Sequence, residues 1–120
     1  MKRYSSEATH VAKMSTIVRA VARHFHVGAE LLAGPYGRRK AVTEARAVAM
    51  YLCREMTNAS YPQIGRVFNR DHSTVIYAVQ AFDGRLVRNP ILRANVELIR
   101  RALRPEPVSF DGLVIDWVAV

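Results

Sequence analysis

One hundred and twenty residues, half of them apolar, suffice for one compact core and fall short of two. Eighteen Lys and Arg against ten Asp and Glu give a net charge of +8 and a sequence pI near 10.4, and most of the cations follow residue 37, so a polyanion is the natural partner. No apolar run reaches the roughly 18 to 20 residues of a membrane span, MKRYSSEATH lacks the apolar stretch of a signal peptide, and the lone Cys53 forbids an intrachain disulfide; a cytoplasmic chain is expected.

In chain order, Ile17, Val18, Val21, Ala22 and Phe25 recur at helical spacing and predict a helix over 15–25, with a start as early as Glu7. Gly28, a helical turn from Ala29 to Ala33 and the Gly34-Pro35 stop follow, then a basic linker, YGRRKAV. Thr43 to Thr57 is the next helix, with Ala45, Val48, Ala49, Leu52, Cys53 and Met56 facing inward and Arg46 and Arg54 outward on one side. Cys53 reads as a small buried thiol.

Ser60 and Pro62 open a helix of about two turns carrying Ile64, Val67 and Phe68, which Asn69 breaks. From His72 to about Val87 a longer helix buries Val75, Ala78, Val79, Phe82 and Leu86, leaving His72, Ser73, Thr74, Tyr77 and Gln80 off that stripe. Asn89-Pro90 separates it from a last helix with Ile91, Leu92, Val96, Ile99 and Leu103, stopped by Pro105 and Pro107. Leu113, Ile115 and Trp117 then alternate with other residues at the period of a strand, which needs something to pack or pair with.

NRDHSTVIYAV, 69–79, is the informative stretch. A short helix, a three-residue turn and a longer helix with a polar first turn is the layout of a helix-turn-helix reader, whose N-terminal side chains reach deepest into the major groove while free N–H groups and the helix dipole attract phosphate. Capping alone accounts for Asp71. It does not account for Arg70, His72 and the outward arginines together, and the first turn holds no Glu or Gln of the kind that opens an ordinary solvated helix.

IGRVFNRDHSTVIYAV, preceded by EARAVAMYLCREMTNASYPQ, resembles the C-terminal DNA-binding domain of the bacterial replication initiator DnaA, over about 15–88. The resemblance implies an all-α bundle of five to six helices with a Trp-repressor-like helix-turn-helix core over 15–104, while 1–14, an N-terminal extension, and 105–120, read from its pattern as a short extended apolar tail, lie outside the likeness. It implies double-stranded DNA as partner. By the same likeness Arg38 enters the minor groove from a linker that also holds Arg39 and Lys40. Asp71, His72 and Ser73, beside Thr74 and following Arg70, read bases, while Arg46, Arg54, Tyr61 and Pro62 meet backbone phosphate. These roles suit the chemistry, since Asp accepts from a cytosine amino group and arginine suits narrow grooves.

Two departures bear on the site: Ser73 stands where threonine is common, and Ala47 where the family can carry a longer polar side chain. No Gly-x-x-x-x-Gly-Lys-Ser/Thr loop is present, so neither nucleotide nor other cofactor is expected, and ATP-driven origin melting is not expected of this chain alone. The reading is a bacterial or phage regulator of replication or transcription, located with the nucleoid. His24 and His26 lie two apart and point in different directions, so no metal is expected; Asp71, His72 and Ser73 are consecutive and fan outward, so no catalytic relay and no enzyme is expected. The alternative of another class is a protein-interaction module, or a homodimer, docking through the apolar tail at 108–120, with DNA binding secondary.

Overall fold

The computed structural model describes residues 7–35, 39–103, 109–110 and 113–114. Six helices follow in order: α1 Glu7–Phe25, α2 Ala29–Ala33, α3 Lys40–Met56, α4 Tyr61–Phe68, α5 His72–Arg88 and α6 Pro90–Leu103. Among the described residues the protein is all-α apart from a hairpin of two two-residue strands, Ser109–Phe110 and Leu113–Val114.

α3 runs through the middle of the molecule because it is apolar on two sides. Val42, Ala45, Val48, Ala49, Leu52 and Cys53 are each 0% exposed, meeting α1 on one flank and α5 on the other. Three alanines and valines per two turns let neighbouring helices approach closely, and the larger Met14, Val21, Leu32, Phe68 and Phe82 fill the spaces between them. Tyr51 leans on Phe82, ring centroids 5.0 Å apart, at the α3–α5 seam. α6 closes the far side with Leu92, Val96 and Ile99, and His24 of α1 meets Asn95 of α6 through Nε2 and Oδ1 at 2.7 Å.

Ion pairs tie the side away from α4. Arg100 of α6 donates to both carboxylate oxygens of Glu55, at 2.8 and 2.7 Å, and to Glu97 at 2.9 Å. The hydrogen bond to Glu55 raises the Arg100 pKa above its ordinary value, outweighing burial. Arg85 of α5 donates once, from Nη2, to Oε1 of Glu44 on α3.

Some boundaries differ from the sequence reading. α3 begins at Lys40 rather than Thr43, because Arg39 is its cap residue with extended backbone and no side-chain bond, a start that leaves no signature in the sequence. Met56, read as inward, is 36% exposed at the end of α3, where the buried stripe has rotated away from the core, and Ile91 is 74% exposed at the start of α6. The expected strand has a partner: Ser109–Phe110 pairs antiparallel with Leu113–Val114, in the register Ser109 opposite Val114 and Phe110 opposite Leu113. The rest of the expected strand, 115–117 with Trp117, lies outside the described residues. Among the described residues no helix is long and apolar enough to cross a membrane, and no three His, Cys, Asp or Glu side chains gather as metal ligands.

Candidate nucleic-acid interface

Local bonds build the site from α4 onward. Ser60 and Gln63 close a reciprocal capping box: the Gln63 N–H donates to Ser60 Oγ at 3.2 Å and the Ser60 N–H to Gln63 Oε1 at 2.8 Å. Pro62 fits the first turn, where no intrahelical N–H bond is lost. Ile64 and Phe68, both 0% exposed, press α4 onto the core. Asn69 ends the helix in the left-handed region, φ 56° and ψ 45°, and the Arg70 N–H donates to Gly65 O at 2.8 Å.

Gly65 makes this turn sterically feasible. A Cβ there would sit 2.4 Å from the Arg70 carbonyl oxygen, so the chain crosses directly over the bare α-carbon. Sequence reading passed over this residue, since a glycine inside an eight-residue helix gives no sign of which carbonyl will lie on it.

Asp71 then caps α5. Its Oδ2 accepts the Ser73 N–H at 3.0 Å and also the Ser73 hydroxyl. These two bonds, with a smaller contribution from the neighbouring His72, hold the Asp71 carboxyl below the usual carboxylate range. A depressed folded pKa contributes stability above the unfolded value, near pH 4, and loses it as pH falls through the folded value. Asp71→Asn is therefore expected to lower stability at pH 7 and to flatten the acid limb of a thermal-stability profile, the variant and parent converging below about pH 4; an unchanged acid limb would dismiss the cap.

Asp71, His72, Ser73 and Thr74 are all exposed, with the Asp71 and His72 side chains 66% and 56% open and the pair 3.8 Å apart. Val75, Val79, Phe82 and Leu86 anchor the opposite stripe of α5, which forces that polar first turn outward. Ser73 gives its hydroxyl to Asp71 and not to an imidazole, the wrong order for a nucleophile relay. Tyr77, 74% exposed, stands one turn beyond Ser73 on the same outer face; the i, i+4 spacing contained this, but the sequence reading assigned it no role.

The cations divide. Arg39 and Lys40 are exposed at the start of α3, and Arg38 lies outside the described residues. Arg54 is exposed, with Nη1 donating to Ala59 O at 2.9 Å and its guanidinium 4.0 Å over the Tyr61 ring, so those two residues form one surface with Pro62 at the start of α4. Arg46, expected outward, is half-buried: Nε donates to Leu32 O at 2.9 Å and Nη2 to Leu31 O at 3.1 Å. Pro62, Gly65, Arg66, Asn69, Arg70, Asp71 and His72 line one shallow depression across the turn. A face of donors, two helix N-termini and guanidiniums can bind an extended anion and offer hydrogen bonds to whatever sits between its charges.

This arrangement defines a helix-turn-helix protein. A family model described as the bacterial DnaA protein helix-turn-helix matches residues 14–81, and the chain belongs to that family. It is 45% identical over 90 residues to a chromosomal replication initiator protein DnaA of Mycobacteroides abscessus, covering 75% of this chain and 18% of that protein. To the protein of the same name from Deinococcus deserti it is 39% identical over 92 residues, covering 77% of this chain and 20% of that protein. The chain thus spans about a fifth of the length of the relatives it matches.

Proposed function

We propose that these residues bind double-stranded DNA with sequence preference, at sites like the boxes the replication initiator occupies. The observation that carries this is the outward polar start of α5, Asp71 to Thr74, held open on a helix-turn-helix of the initiator's family. In this reading His72, Asp71 and Ser73 meet base edges in the major groove. Arg54, with Tyr61 and Pro62, meets phosphate, and Arg38 to Lys40 approach the minor groove. Residues 15–104 form the reading unit. The 120 residues hold no phosphate loop, so the role assigned to them is site occupancy near the chromosome, regulating replication or transcription without ATPase activity.

Selection of bound duplexes from a random pool tests this: recovery of the initiator's box supports it, and recovery of no common sequence ends it. On the recovered duplex His72→Ala should cost roughly 1 to 3 kcal/mol, with much less lost on random DNA. Arg54→Ala should weaken both duplexes alike, because a phosphate contact carries no base information. Equal losses from His72→Ala on the two duplexes would remove its base-reading role.

A further inference from the structure

The turn between α4 and α5 carries a cation that looks back into the molecule. Arg70 is half-buried, and its Nη1 donates to Phe68 O at 2.9 Å and Asn69 O at 3.3 Å while its Nη2 donates to Gly34 O at 3.0 Å. Phe68 is the last residue of α4, Asn69 its cap, and Gly34 the cap of α2. One planar cation thus closes the carbonyl ends of two helices, where aligned backbone dipoles leave partial negative charge.

Arg46 reaches the same end of α2 from α3, through Leu31 and Leu32. Burial, and then the nearby Arg70 charge, lower the Arg46 pKa, so the two guanidiniums stand together against their mutual repulsion. Carbonyl ends of two helices between them offset that cost. The backbone of Arg70 is fixed as well, its carbonyl lying over Gly65 and its N–H bonded to Gly65 O. The residue immediately before Asp71 is therefore held at both its main chain and its side chain, and the side-chain hold reaches 36 residues back along the sequence.

We propose that Arg70 is a positioning residue and not a phosphate ligand: its guanidinium pins the end of α2 to the turn that aims Asp71, His72 and Ser73, and thereby sets discrimination between duplexes more than affinity for any duplex. This rests on the DNA-reading function above. A phosphate contact needs a point charge, which lysine keeps. A planar fork spanning carbonyls of two separate segments is something lysine cannot reproduce.

Arg70→Lys should bind the selected duplex about 10-fold more weakly and random duplex less than about twofold more weakly, with the salt slope unchanged. Full rescue by Arg70→Lys, together with uniform loss and a salt slope smaller by about one in Arg70→Gln, would overturn the proposal in favour of a phosphate contact. A second measurement uses the unmodified chain and decides the matter even where the variants fail to fold. Nuclear magnetic resonance of the Arg70 guanidinium without DNA should show slowly exchanging N–H groups, unmoved when random-sequence duplex is added. Fast exchange without DNA sinks the clasp itself. An unmodified chain that binds no duplex, with slow exchange retained, overturns the positioning role and leaves a purely structural clasp.

Discussion

Gly65→Ala is expected to lower the melting temperature by about 6 to 12 °C, taking about 3 kcal/mol for overpacking against backbone less about 1 kcal/mol of better helix propensity, at about 3 to 6 °C per kcal/mol for a domain of this size. The atom in the way is the Arg70 carbonyl oxygen, 2.4 Å from the new methyl, and backbone cannot swing aside as a side-chain tip does. The turn itself must move. Alanine's better helix propensity returns about 1 kcal/mol, which is too little to reverse the sign. Gly84 of α5 supplies the internal comparison: its added Cβ meets only Arg88 Nη1 at 3.7 Å, ordinary contact, so Gly84→Ala should stabilise by about 0.5 to 1 kcal/mol. Thermal unfolding of both variants checks the pair, and a Gly65→Ala protein as stable as the parent would contradict the close crossing. Because the displaced turn carries Asp71 and His72, the same variant should also lose preference for its selected duplex.

Between 50 and 200 mM salt the affinity for duplex DNA is expected to fall by about 10³ to 10⁴, since five to eight phosphate contacts give a log-log slope near minus five to minus seven. The distribution of charge supports so steep a dependence. Arg85 of α5 is matched by Glu44 of α3, and Arg100 and Arg101 of α6 by Glu55 of α3 and Glu97 of α6. Around the recognition turn Arg54 and Arg70 meet backbone carbonyls, which order a guanidinium without cancelling its charge. Arg54 and Arg70 therefore bring uncancelled positive charge to the face that bears α5's first turn. Titration of binding by fluorescence anisotropy at stepped salt measures the slope; a flat response would contradict a phosphate-gripping surface.

How far the sequence disclosed this molecule depended on whether each feature was local. α2, α4 and the start of α5 were legible to the residue because Gly34-Pro35, Ser60, Asn69 and Asp71 punctuate them with chemistry that acts within three or four positions. The start of α3 was not, since Arg39 caps without a side-chain bond. Exposure of the Asp71 to Thr74 cluster followed from the buried stripe of Val75, Val79 and Phe82, a matter of period alone. The inward use of Arg46 and Arg70 was hidden, because an arginine's neighbours in sequence do not reveal which distant helix end comes within reach of its side chain. Gly65 was hidden for the same reason, its partner being a carbonyl brought back over it by the turn.

Cys53 sits at 0% exposure on the central helix, and burial pushes its thiol up to about 12. The protein therefore contains a built-in reporter: a thiol-reactive dye at neutral pH can couple to it only during the rare moments when the helices part, so the rate of labelling counts whole-molecule openings. Newly introduced surface cysteines, by the same token, would take up a fluorophore against a silent background.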